Sequence, residues 1–354
     1  MDIQNVPVAR FFAAGHTLEH ALPGRTPVKT TTTPAPRRSA PGLALRVARL
    51  VAAAMALAVA MVLSACGNSD PLGSKGSCEG DGLVVGSADF QESETVANIY
   101  AEVLRINGFQ VDTRFRIGSR EAYVPALRSC AISVIPEYTG NLLQYLDKNA
   151  TAATSEEVDK ALAGALGDEL AIAQPAPAQD SDAVVVTKAT AEKWNLTSIG
   201  DLAPHSAEVK FGAPAEFAER AGGLPGLKKN YGLDIAPANF VPIADGGGPA
   251  TVRALVEGQV TAADIFTTSQ AILENNLVVL ADPKNNFPAQ NVVPLFNAKK
   301  KTDKATKVLD AVSAKLTTEG LLKLNEAVSG KAKTEPKAAA LEWIRTQGLD
   351  KPVS

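Results

Sequence analysis

Residues 118–140 read GSREAYVPALRSCAISVIPEYTG, and residues 246–268 read GGGPATVRALVEGQVTAADIFTT. Laid side by side without a gap, Gly118 meets Gly246, Ala122 meets Ala250 and Val124 meets Val252. Ala126-Leu127 meets Ala254-Leu255, Ile132 meets Val260, Tyr138 meets Phe266 and Thr139 meets Thr267. Each copy has the pattern of a glycine turn, a helix, a short turn, an apolar strand, and then an aromatic followed by Thr. Alternating helix and strand patterns predict an α/β fold, and two copies predict two similar lobes. In open α/β sheets, ligands sit beyond the carboxyl ends of the strands. Tyr138 and Phe266 occupy that place in their copies. They predict a clamp with one aromatic jaw per lobe, Thr139 and Thr267 standing beside it.

Outward from the repeats, strand 83–87 precedes helix 92–107. Val96, Ile99, Tyr100, Val103 and Leu104 lie at helical spacing there, and Gly108 is the stop signal. A strand at 109–115 and a helix at 155–166 follow. The run Asp-Ser-Asp-Ala-Val-Val-Val-Thr-Lys at 180–188 reads as a strand crossing into a second lobe. Helices near 189–195, 214–219 and 224–230 fill that lobe. Gln-Asn-Val-Val-Pro-Leu-Phe at 290–296 reads as the return crossing, and three helices near 303–315, 318–328 and 336–346 close the chain. The expected first lobe is therefore discontinuous, 81–182 with 291–354, and the second is 183–290. Two crossings make a hinge, and hinge closure around a ligand is an established motion.

The 354 residues suffice for two domains with cores, but the first 65 do not read as fold. Arg37, Arg38, Arg46 and Arg49 flank the uncharged run Leu50–Leu63, which is shorter than the about 20 residues of a membrane span and suits a secretory signal. It ends in Leu63-Ser64-Ala65-Cys66-Gly67, which resembles the bacterial lipobox. Cys66 is thus the expected lipidation site and mature N-terminus, anchored to the outer face of the cell membrane. Residues 66–80 read as a polar tether. Over the whole chain 35 Lys and Arg stand against 38 Asp and Glu, and the segment before Cys66 removes mostly Arg, so the mature part is acidic. An acidic chain without a basic cluster is a poor nucleic-acid binder. Past Cys66 the one histidine is His205, in a loop. No Cys/His spacing for zinc and no nucleophile elbow is present, so no metal, cofactor or catalytic residue is expected. Cys78 and Cys130 each precede an apolar strand. If these strands are parallel neighbours, their starting ends lie together, and an oxidising exterior would join the two cysteines.

Four stretches carry a resemblance: Val84-Val85-Gly86-Ser87-Ala88-Asp89-Phe90-Gln91-Glu92, Pro136-Glu137-Tyr138-Thr139-Gly140, Phe211-Gly212-Ala213-Pro214-Ala215-Glu216-Phe217 and Gly223-Leu224-Pro225-Gly226-Leu227-Lys228-Lys229. Residues 83 to about 348 resemble the glycine betaine/choline/carnitine-binding proteins of ATP-binding-cassette importers. The resemblance implies a two-lobed periplasmic-binding-protein fold (type II), capture of an osmoprotectant between the lobes, and delivery to permease and ATPase subunits. A monomer without enzyme activity is expected. A quaternary ammonium donates no hydrogen bond, so aromatic faces hold it by cation–π attraction. The resemblance assigns the cage Tyr to Tyr138, its second-lobe partner to Phe266 and the carboxylate-binding Arg to Arg220. Elsewhere the chain departs from the family: a crossing Tyr is replaced by Asp182, another by Gln290, a Lys by Ala88 and a Thr by Asn141. Phe90 either lines the cleft or only its own lobe. Asp182 is suited to face a cation, or to hydrogen-bond a neutral polyol or amide. A neutral-solute receptor and a non-transport surface lipoprotein are the alternatives to a quaternary-ammonium receptor.

Overall fold

The computed structural model describes residues 78–353. Cys66 and the expected signal segment lie outside the described residues. Two five-stranded sheets form the scaffold. In chain order the first lobe begins with β1 (Leu83–Gly86), α1 (Gln91–Ile106), β2 (Val111–Arg114), α2 (Arg120–Arg128), β3 (Val134–Tyr138), α3 (Thr139–Leu146), α4 (Ser155–Ala165) and β4 (Leu170–Ile172). The second lobe holds β5 (Val184–Thr187), α5 (Lys188–Trp194), β6 (Phe211–Ala213), α6 (Leu224–Tyr231), β7 (Phe240–Pro242), α7 (Pro249–Val256), β8 (Ala262–Asp264), α8 (Gln270–Glu274) and β9 (Leu277–Val279). The chain then returns with β10 (Val292–Asn297) and ends in α9 (Asp303–Ser313), α10 (Thr318–Ser329) and α11 (Pro336–Thr346).

The first sheet runs β2-β1-β3-β10-β4 and the second β7-β6-β8-β5-β9. In each, the strand that ends the repeat copy (β3 or β8) is central, flanked by one parallel and one antiparallel neighbour. The return crossing is therefore not a bare linker. β10 is an inner strand of the first sheet, antiparallel to β3 with Val292 opposite Tyr138. All six β10 residues are buried, as expected of a strand covered on both faces. α9, α10 and α11 pack on α1, whose Ile99, Tyr100 and Leu104 are fully enclosed. The tail thus completes the first-lobe core.

β1 and β3 are parallel neighbours, with Val85 opposite Val134. Cys78 and Cys130, ahead of those strands, are joined by a disulfide with Cα atoms 5.4 Å apart. The Lys300 ammonium, itself buried, donates to the carbonyls of Gly80 at 2.9 Å and Gly82 at 3.2 Å. Cys78 and Gly80 are accordingly fastened to the first lobe. Proline inside β3 has its reason in pairing: Pro136 lies opposite Pro294, and neither strand asks the other for the missing N–H.

Candidate functional site

β1 ends in a turn that aims Phe90 at the other lobe. The buried Ser87 hydroxyl donates to Ala88 O and accepts from Arg116 N, while Ser93 Oγ accepts from Ala88 N at 2.9 Å. The Phe90 ring sits 6.0 Å from Tyr138 and 5.2 Å from Phe266, tilted against both, as aromatic pairs prefer. Tyr138 and Phe266 are therefore not bare jaws; Phe90 stands between them. Gly246 of the second lobe, at φ +59°, comes so close that an added Cβ would lie 3.3 Å from Phe90 Cβ. The three rings border an interlobe cavity of about 290 Å³. A second chamber of about 180 Å³ shares Arg120, Asn141, Asp182, Glu216 and Arg220 with it, and extends to Tyr145 and Phe287.

The Pro-Glu-Tyr-Thr-Gly stretch divides its labour residue by residue. Glu137 is wholly buried and accepts from Arg120 Nε at 2.6 Å, Arg120 Nη2 at 2.8 Å, Tyr123 OH at 2.6 Å and Tyr138 N at 2.6 Å. Burial alone would lower the Arg120 pKa, but the Glu137 charge more than offsets it and holds the guanidinium protonated. This bidentate pair locks the start of α2 onto β3, which fixes where Tyr138 leaves the strand. Gly140 is required by a close approach: a Cβ there would meet Ala289 O at 2.6 Å and Pro288 at 2.7 Å.

Tyr138 OH donates to Glu92 Oε1 at 2.6 Å. Glu92 Oε2 accepts from Thr268 Oγ1 at 2.7 Å and Asn325 Nδ2 at 2.6 Å. Thr268 belongs to the second lobe, so Glu92 ties the lobes together. Asp180 Oδ1 accepts from Thr268 N at 3.0 Å and Thr267 Oγ1 at 3.2 Å. Burial, and next the charge of Glu92, push the Asp180 carboxyl well above its ordinary range. Asn141 Nδ2 donates to Asp182 Oδ2 at 2.5 Å, and Asp182 and Asp264 border the same cavity. Asp180 and Asp182 face the same cavity because alternate residues of an extended segment share a side.

Of the residues expected from sequence, Phe90, Tyr138, Asn141, Asp182, Arg220 and Phe266 border the inner cavity. Arg220 is not free there: its guanidinium donates to Glu121 at 3.0 and 3.3 Å across the cleft. Thr139, Thr267 and Gln290 line neither chamber. Thr139 Oγ1 accepts from Asn291 N at 3.1 Å, and Thr267 Oγ1 accepts from Ser181 N at 3.0 Å, so both hydroxyls brace the crossings. Gln290 is fully buried and its Oε1 accepts from Asn141 N at 2.9 Å. Sequence reasoning missed Glu92, Asp180, Asp264, Thr268 and Asn325. Their partners are far away in the chain, and the only local signal was a run of acidic residues at strand ends. Among the described residues no group of His, Cys, Asp and Glu is arranged to hold a metal ion.

Comparison with known proteins agrees with this architecture. The pattern of a family described as the substrate binding domain of ABC-type glycine betaine transport system matches residues 81–346. The glycine betaine-binding protein YehZ of Escherichia coli K12 is 30% identical over 220 residues, 60% of this chain and 72% of that protein. The ergothioneine transport permease/ergothioneine binding protein EgtU of Helicobacter pylori G27 is 26% identical over 241 residues; these are 64% of this chain but only 41% of that longer protein. The crystal structure of a glycine betaine/carnitine/choline ABC transporter superposes with a TM-score of 0.59 at 21% identity, covering 76% of this chain and all of that one (100%), which speaks to the fold.

Proposed function

Because the chain belongs to the family of substrate-binding domains of ABC-type glycine betaine transport systems, we propose that it captures a quaternary-ammonium solute in the interlobe cleft and delivers it to the permease of an importer. The observation that carries this reading is the trio Phe90, Tyr138 and Phe266 around a cavity edged by carboxylates. Ring faces attract a cation that cannot donate hydrogen bonds, each desolvated contact contributing about 2 kcal/mol. The acidic rim adds long-range attraction and favours a cation over a neutral polyol. Arg220 acts in this reading as a strap: it spans the cleft to Glu121 rather than presenting itself to a ligand carboxylate.

Calorimetric titration with choline and glycine betaine tests the proposal. Tyr138→Ala is expected to weaken binding about tenfold or more, the loss of one cation–π contact. The substitution also removes a buried hydroxyl from Glu92, so the melting temperature falls as well. Tyr138→Phe separates the two effects, keeping the ring and most of the affinity while losing the Glu92 bond. Failure of any quaternary ammonium to bind, or Tyr138→Ala binding as tightly as the parent, would remove the cage.

The family is one of extracytoplasmic binding proteins, and among the described residues no helix is long and apolar enough to cross a membrane. A lipid on Cys66 is the proposed tether, supported by the basic flank, apolar run and lipobox of the sequence. Mass spectrometry of membrane-extracted protein is expected to find a diacylated N-terminal Cys66, and Cys66→Ala is expected to free the protein from membranes. A membrane-bound Cys66→Ala variant would rule this anchor out.

A further inference from the structure

Asp180, Asp182 and Asp264 border the inner cavity, with Glu92 behind Asp180, and these carboxyls differ in what is left over. Both Glu92 oxygens are engaged, by Tyr138, Thr268 and Asn325, and Asp180 Oδ1 accepts from Thr268 N and Thr267 Oγ1. That pair is consumed by the lobe junction. Asp182 and Asp264 are also buried, at 8% and 3% exposure, and the antiparallel pairing that sets Val184 opposite Asp264 continues through Ile265 N to Ala183 O, so the two carboxyls face the cavity from neighbouring strands. Asn141 Nδ2 donates to Asp182 Oδ2. Asp264 Oδ1 is enclosed and has no hydrogen-bond partner among the described residues, although Asp264 borders the cavity. A buried acceptor without a donor costs free energy until something supplies one or neutralises it.

The surrounding charges decide what that something is. Two cationic side chains border this cavity, Arg120 and Arg220. Arg120 is matched by Glu137 and Arg220 by Glu121. The remaining charged groups facing it, Asp89, Asp180, Asp182, Asp264 and Glu216, are all carboxyls. A zwitterion brought here finds both guanidinium groups already paired against its carboxylate. Neighbouring carboxyls enclosed in a protein resist ionising together without a compensating charge, so in the empty cleft Asp264 retains a proton. Burial, and next the charge of Asp182, hold that proton on Asp264, with Arg220 opposing.

Building on the quaternary-ammonium reading, we infer that the cleft selects a net cation without a carboxylate and takes it in exchange for a proton held on Asp264. The exchange balances in charge: a cation enters beside the pair, and the proton on Asp264 passes to solvent or buffer. No bond of the ligand changes. Because the empty form holds the extra proton, cation affinity rises with pH until the empty pair has itself lost it.

The test is calorimetric titration of the full chain with choline chloride and with glycine betaine, from about pH 5 to about pH 8, in buffers of different ionisation heat. Choline is expected to bind more tightly than glycine betaine and to release about one proton, its affinity falling about tenfold per pH unit on the acid side. Asp264→Asn is expected to bind choline with no proton release and a flat pH profile. Asp182→Asn breaks the same pair from the other side and serves if the first variant does not fold. Choline binding with no buffer-dependent heat, or glycine betaine binding more tightly than choline, overturns the inference and leaves the quaternary-ammonium reading standing. Binding of neither solute at any pH overturns both.

Discussion

Replacing Arg120 by Met is expected to lower the unfolding free energy by about 3–5 kcal/mol, the usual cost of stripping one partner from a buried ion pair. The Arg120 and Glu137 side chains are 7% and 0% exposed, and Glu137 carries four donated hydrogen bonds, two of them from Arg120. Met fills much of the volume but leaves the Glu137 charge enclosed. Urea unfolding followed by circular dichroism measures the effect. The double variant Arg120→Met/Glu137→Gln is expected to recover part of the loss, because the uncompensated charge is then gone, while the single amide oxygen keeps an acceptor for one of the two donors, Tyr123 OH and Tyr138 N. Equal midpoints for Arg120→Met and the parent would mean that Glu137 is solvated or otherwise neutralised. Because Glu137 also receives Tyr138 N, the substitution is expected to loosen the ring that borders the cavity and to weaken ligand binding in proportion.

Reducing the Cys78–Cys130 disulfide is expected to cost about 4 kcal/mol in the chain-entropy treatment of a loop this long. The mechanism lies in the unfolded chain, whose freedom grows once the loop opens. β1 and β3 remain paired within the sheet, so the lobe stays folded. Unfolding in urea with and without reductant measures the difference, and Cys78→Ser is expected to match the reduced parent. Cys78 is the better site to change, since Cys130 sits at φ +59°, where a substitution mixes backbone strain with loss of the bond. Identical unfolding curves in both conditions would show that the cross-link contributes nothing. Ligand affinity should hardly move, because both cysteines precede strands whose opposite ends border the cleft.

The helices were legible because their signals are local. Val96, Ile99, Tyr100, Val103 and Leu104 mark one face of α1, and the three tail helices fall within a few residues of their sequence patterns. The repeat was legible for the same reason, since each copy is one contiguous helix–strand unit. The three-residue strands β4, β6, β7 and β9 were not, because so short a run has no periodicity to read. Neither was the placement of β10 inside the first sheet, since strand order depends on partners that the local pattern does not name.

The sequence by itself determined the two α/β lobes, the aromatic at the end of each repeat strand, and the position of the cysteines ahead of their strands. It did so through spacing, which acts over a few residues. Only the tertiary structure decided which polar groups meet. Glu92 finds Thr268 across 176 residues and Asn325 across 233, and Asp182 finds Asn141 across 41. It also decided that Arg220 closes on Glu121, that Thr139 and Thr267 brace the crossings, and that Asp264 is left with an unanswered oxygen. The physical reason is that a carboxyl's role depends on burial and on its neighbours' charge, and those are set by the packing of distant segments rather than by the residues beside it in the chain.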